Sequence, residues 1–261
     1  MSEAVPVFSG PGPKIQPITL DRPWVWLARG WQDLRCAPKV GLAYGCVFTV
    51  LGFLILGGLW LLELFYLVFP LTAGFILLGP ILAVGLYEVS RRQESGEIAT
   101  LAQAVTAIRR NTSQIALMGV VLMLFLLVWI RIATLIFAIF YSHTPPGLEN
   151  FVTSVLLSPQ VIPFLLFGTA VGAVLAVAVF AISAVSIPML LDRPETNVVT
   201  AMATSVEAVR LNAKPMAVWA ALIVLFTAAG LATFYIGLIV AMPLIGHATW
   251  HAYRDMVAFD A

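Results

Sequence analysis

The stretch that decides the fold runs from Asp192 to Asp255: DRPETNVVTAMATSVEAVRLNAK (192–214), then PMAVWAALIVLFTAAGLATFYIGLIVAMPLIGHA (215–248), then TWHAYRD (249–255). It opens on a helix-start signal, Asp192-Arg193-Pro194, in which Asp can cap the helix while Pro occupies its first turn. An amphipathic segment from Asn197 to Lys214 follows, with Val198, Met202, Val206 and Val209 at three- and four-residue steps. The remainder, Pro215 to Ala248, is one apolar run. A single helix of that length would overshoot a bilayer, so the run is divided near Gly230.

Composition agrees with a membrane protein. The chain is 61% hydrophobic and 10% charged, with a mean hydropathy of +0.99, whereas about a quarter of the residues in a soluble domain are charged. A net charge of +1 gives no basic field for nucleic acid. Cys36 and Cys46 are ten positions apart, roughly 15 Å along a continuous helix, which speaks against a disulfide, and there is no zinc spacing. Residues 1–20, with Pro6, Pro11, Pro13, Pro17, Gly10, Gly12 and Glu3, are expected to form a disordered cytoplasmic tail rather than a cleaved signal.

Six segments have the apolar length of a spanning helix: Val40–Leu62, Leu67–Leu86, Ile115–Ala138, Val161–Leu191, Met216 to about Phe234, and about Tyr235 to Ala248. With six spans, Lys14, Arg22, Arg29, Arg35, Lys39, Arg91, Arg92, Arg109, Arg110, Arg193, Arg210, Lys214 and Arg254 share one side. Only Arg131 of the fourteen basic residues is left over. The opposite connections hold Glu63, His143 and Glu149 without Lys or Arg, so both termini are expected in the cytoplasm. Trp24, Trp26, Trp31, Trp219 and Trp250 fall at that boundary and Trp60 and Trp129 near the outer one.

The cytoplasmic connections repeat a pattern. Trp24, Leu27, Trp31 and Leu34 recur at helical steps, as do Ile98, Leu101, Val105 and Ile108, and the Asp-Arg-Pro start at Asp21 recurs at Asp192. The expected architecture is therefore an all-α integral membrane protein of six transmembrane helices in three tandem units. Each unit is an amphipathic interfacial helix followed by a two-span hairpin, over about 21–91, 92–192 and 193–255, within a membrane domain of 21–255 and before a C-terminal tail of 256–261.

Ser186-Ile-Pro-Met-Leu-Leu-Asp-Arg-Pro194, Ala201-Met-Ala-Thr-Ser205 and Leu244-Ile-Gly-His-Ala-Thr-Trp-His-Ala-Tyr-Arg-Asp255 resemble the bacterial integral-membrane family catalogued as domain of unknown function 2189. The likeness covers roughly Pro23 to Asp255, and its specific part is the last third. It implies a bacterial inner-membrane protein of six helices and supplies no activity, substrate or catalytic residue. The Pro-Met-Leu-Leu-Asp-Arg-Pro turn is also similar to the non-catalytic membrane domain attached to some glycerophosphodiester phosphodiesterases, whose soluble barrel this chain lacks.

Arg131 lies about 24 Å along its helix from Ile115 and has two readings: reach to the outer headgroups, or an intramembrane ion pair with Glu63. His247 and His251 are four apart on the last span and could face one metal or haem; the plainer reading is a pair of polar groups at the boundary. Three histidines in all are too few for a haem–copper oxidase core. Gly41 and Gly45, and Gly168, Gly172 and Ala176, set small residues four apart, for packing within the chain or for a partner face. Glu88 is placed to pair with Arg91 or Arg92.

No nucleophile–base set, phosphate loop or paired intramembrane carboxylates appears. The sequence thus points to a non-enzymatic inner-membrane protein without cofactor: an accessory, scaffolding or assembly component that binds the lipid bilayer and another membrane protein or complex. The alternative is a small-molecule or lipid permease with a pathway between the hairpins. Against it, the middles of the spans are almost purely Leu, Val, Ala and Gly.

Overall fold

The computed structural model describes residues 13–64, 67–142, 155 and 157–258. His143 and Glu149, expected on the outer connections, lie outside the described residues. Within them are eleven α-helices: α1 (Arg22–Cys36), α2 (Pro38–Leu61), α3 (Val68–Leu82), α4 (Val84–Glu94), α5 (Leu101–Val105), α6 (Thr112–Tyr141), α7 (Val161–Ser183), α8 (Ser186–Asp192), α9 (Val198–Leu211), α10 (Ala213–Ala232) and α11 (Leu238–Met256).

Prolines account for the positions of several breaks. Ala37 precedes Pro38 and is driven out of the helical region to φ −127° and ψ 57°, separating α1 from α2. The ring of Pro188 opposes the carbonyl four residues back, at Ala184, where α7 gives way to α8. The long apolar run after Pro215 is indeed two helices. They part over 233–237, where Phe234 and Tyr235 have positive φ (52° and 66°), Thr49 Oγ1 donates to the Tyr235 carbonyl (2.8 Å), and the Gly237 amide donates to Thr233 Oγ1 (2.9 Å).

Among the described residues, four helices are long and apolar enough to cross a membrane: Pro38–Leu61, Thr112–Tyr141, Val161–Asp192 (α7 and α8 together) and Ala213–Ala232. This differs from the expected six. With 15 residues, α3 is only about 22 Å long, and α11 has 19 residues that include His247, His251, Arg254 and Asp255.

The centre of the bundle is α11. Fifteen of its 19 residues are buried, packed by α1, α2, α4 and α10. The antiparallel contact between α2 and α11 depends on small residues. A Cβ on Gly45 would lie 2.7 Å from the Ile239 Cα, and one on Gly30 of α1 would lie 2.7 Å from the Ala248 amide nitrogen. On the far side α3 packs on α6, and α7 leans on α6 and α9.

Two expectations about the ends need correction. Residues 14–18 are not a free tail: Lys14–Ile15 pairs antiparallel with Val257–Ala258, and Asn212 accepts from the Ile18 amide (2.8 Å) and donates to the Gln16 carbonyl (3.1 Å). The C-terminal tail is engaged in the same contact through residue 258. Nor does Asp192 start a helix. It ends α8, and Asn197 caps α9 by accepting from the Thr200 amide (2.9 Å). Asp21 flanks α1, but its side chain makes no cap bond.

Candidate functional site: the polar junction around α11

The polar side chains collect at the C-terminal end of α11, where α1, α4, α8 and the turn after α5 meet it. Asp33 and Glu94 flank His251: Nε2 is 2.9 Å from Asp33 Oδ2, and Nδ1 is 3.8 Å from Glu94 Oε1. Arg254 reaches Glu94 (3.1 Å) and Asp192 (3.4 Å), and the Tyr253 hydroxyl donates to Asp192 (2.8 Å). Asp255 receives the Arg22 guanidinium and the Trp26 indole N–H (2.8 Å). Two turns away, Glu88 accepts from Arg91 (2.8 and 3.0 Å) and from Arg92 (2.6 Å), with Arg110 at 4.0 Å.

These contacts make the junction a neutral ionic layer. Burial pushes the Glu88 carboxyl up, but hydrogen bonds from Arg91 and Arg92 outweigh it and hold the carboxyl below the usual range. Asp255 behaves likewise, burial being outweighed by Arg22 and Trp26. Burial and then the charge of Asp192 raise the Tyr253 phenol. Backbone carbonyls complete the layer: Arg110 donates to Leu191 (3.1 Å), and Asn111 donates to Leu190 (3.2 Å) and Thr196 (3.3 Å).

The two histidines do not converge. His247 Nδ1 is bonded to Ser90 Oγ (2.8 Å) and its Nε2 has no partner among the described residues, whereas His251 is committed to Asp33. Ser90 and His247 are wholly buried. Among the described residues no group of three His, Cys, Asp or Glu side chains is placed to hold a metal.

Arg131 is exposed on α6 and Glu63 is exposed at the end of α2. Among the described residues no ion pair joins them, which corrects the paired reading; an exposed guanidinium can reach the headgroups instead. The glycine stripes divide. Gly41 and Gly45 face α11 inside the chain, a Cβ on Gly172 would lie 3.0 Å from the Trp129 ring, Gly168 has open space beside it, and Ala176 is exposed at the lip of a cavity.

Several residues of the junction were invisible to periodicity. Trp26, expected in an interfacial belt, is wholly buried and packs edge-on to Trp219 with ring centroids 5.7 Å apart. Leu27 and Leu34 go into the bundle while Trp24 and Trp31 stay exposed, so the apolar stripe of α1 is split. The stripe of Ile98, Leu101, Val105 and Ile108 is exposed as a whole. Asp33 and Asp255 carried a signal only in retrospect: a carboxylate on a face otherwise apolar.

No curated protein and no solved structure matches the chain, and the weaker likeness to the phosphodiesterase membrane domain gains no support. The family match that does emerge covers less of the chain than the resemblance suggested, and it leaves out Ala201–Ser205 and Leu244–Asp255. Residues 68–192, from the start of α3 to the end of α8, match the family described as Predicted integral membrane protein (DUF2189), the same family that the sequence resembles.

Proposed function

We propose that this integral membrane protein is a non-enzymatic accessory or assembly component of a bacterial inner membrane, crossing it six times as three hairpins with both termini inside. One observation carries the non-enzymatic reading: the titratable groups of the junction are engaged with one another, which leaves rigid structure rather than free acids and bases. The partner-binding reading draws on α7, a peripheral helix of 23 residues of which only Val179 and Ser183 are buried.

The topology is supported by where each excursion of the chain begins and ends. The first leaves the junction after Asp33 and returns at Glu88. The second leaves at Asn111, bonded to the Leu190 carbonyl, and returns at Asp192. The third leaves at Asn212, tied to Gln16, and returns at Asp255. Three excursions with a shared base require an even number of crossings, and the basic side chains at that base agree with a cytoplasmic location.

Two experiments test this. In a variant with Cys36 and Cys46 replaced by Ser, a cysteine at Glu63 should react with an impermeant thiol reagent added to intact cells and one at Gln103 should not; the reverse pattern sinks the topology. A photo-crosslinking residue at Gly168 should capture a discrete membrane protein absent from a Trp24 control; lipid adducts alone would remove the partner reading.

A further inference from the structure

Between α3, α7, α10 and α11, on the membrane side of the junction, lies a partly open cavity of about 100 Å³. No charged side chain lines it, and its walls are chiefly apolar, Val179, Met242 and Ile245 among them. Yet Tyr87, Ser183, Trp219 and Thr227 also line it. Each is at most 3% exposed, and the Trp219 indole N–H is buried without a hydrogen-bond partner among the described residues. Buried polar groups are rarely left unpaired, since each loses its bonds to water without replacement. An unpartnered indole N–H on a wall shared with the Tyr87, Ser183 and Thr227 side chains points to an occupant.

The opening defines where that occupant comes from. The flanking helices α7 and α10 hardly touch each other, and Ala176 is exposed at the lip between them. On the six-span reading this gap faces acyl chains, not water. The lining defines its chemistry. A neutral wall excludes an ion, the apolar surface suits a hydrocarbon body, and the Trp219 indole can only donate, which calls for an acceptor oxygen. An apolar cavity of about 150 Å³ holds one benzene-sized molecule, so this smaller one takes only the carbonyl-bearing end of a molecule, the rest lying in the gap between α7 and α10.

We propose that the cavity binds the carbonyl-bearing end of one neutral lipophile drawn sideways from the bilayer between α7 and α10. The Trp219 indole and the Tyr87 hydroxyl donate to its oxygen, one to each lone pair, while its apolar remainder lies toward Met242 or back into the membrane. This inference rests on the membrane placement proposed above and is independent of whether the protein has a protein partner.

The test uses the full chain in phosphatidylcholine nanodiscs with two diazirine-tagged probes, a short-chain diacylglycerol and a short-chain benzoquinone, and crosslinks mapped by mass spectrometry. At least one probe should label α7 and α10 saturably, in competition with its untagged form, and the probe that does so identifies the source of the carbonyl. Tyr87→Phe, which removes one donor at nearly constant volume, should weaken that labelling about fivefold, and Ala176→Phe at the lip should abolish it. Saturable labelling by neither probe, leaving the cavity to water, overturns the proposal. So does labelling unchanged in both variants while their melting temperatures stay within a few degrees of wild type.

Discussion

Helices α7 and α11 are both apolar segments near twenty residues long, yet the protein treats them oppositely. Of α7, which carries no charge, two residues in 23 are buried; of α11, which carries two histidines, an arginine and an aspartate, fifteen in 19 are buried. In water the greasier helix would be the inner one. Lipid removes that preference, because acyl chains solvate Val and Leu as well as a protein interior does, and what must be enclosed is the helix whose polar groups need partners. Polarity therefore marks the core here, and small residues mark where backbones meet.

The substitution expected to do most damage is Gly45→Leu. Its Cβ would press on the backbone at Ile239, which cannot swing aside as a side chain can, so overpacking should cost about 3 kcal/mol or prevent folding. Thermal unfolding in mild detergent reads this; a melting temperature equal to wild type would mean that α2 and α11 are not in backbone contact.

Next comes Asp255→Ala. It strips Arg22 and the buried Trp26 indole of their acceptor at once, for a loss of about 2 kcal/mol. Arg92→Ala should also cost more than Arg131→Ala. Arg92 bonds Glu88 and Glu97 (2.6 and 2.9 Å), whereas Arg131 is exposed and has no ion pair among the described residues. Depth along the helix alone suggests the opposite order, and a larger shift for Arg131→Ala would mean that depth outweighs the contacts with Glu88 and Glu97.

That reversal shows how much of the molecule was legible. Local signals survived: the long apolar helices, the division of the last run, and the Glu88 pairing with Arg91 and Arg92 all depend on neighbours in sequence. What failed depended on partners distant in sequence. Glu63 and Arg131 share an inferred level, yet among the described residues no ion pair joins them, and the boundary placement of Trp26 fails because a period of 3.6 cannot say which of two apolar faces finds another helix. The stripes at Trp24–Leu34 and Ile98–Ile108 look alike as strings. The first is split because α11 offers Gly30 an alanine backbone and Trp26 a carboxylate; the second meets no such surface and stays exposed whole.

Acid should weaken the α11 end in a defined window. The folded carboxyls of Glu88 and Asp255 lie below their ordinary values, so the stability they contribute is fully present above the unfolded carboxylate value of about 4. It is lost as pH falls through the folded values. The melting temperature should hold between pH 7 and 5 and drop below 4, and Asp255→Asn should make that drop shallower. An unchanged acid limb in this variant would mean that Arg22 and Asp255 do not pair in the folded protein.

The smallest effect is expected for the change that most resembles the first, Gly168→Leu on α7. No atom lies within 4 Å of the Cβ it would add, so no backbone has to move, and leucine regains roughly the 0.8 kcal/mol of helix propensity that glycine forgoes. In detergent or in lipid alone the variant should melt at or slightly above the wild-type temperature. Set beside Gly45→Leu, it isolates position from chemistry, since the added side chain is identical and only the neighbour differs. A destabilisation approaching that of Gly45→Leu would require a surface seated against Gly168 in the protein as purified, and the difference between α7 and α11 would then lie in what covers each helix rather than in whether it is covered.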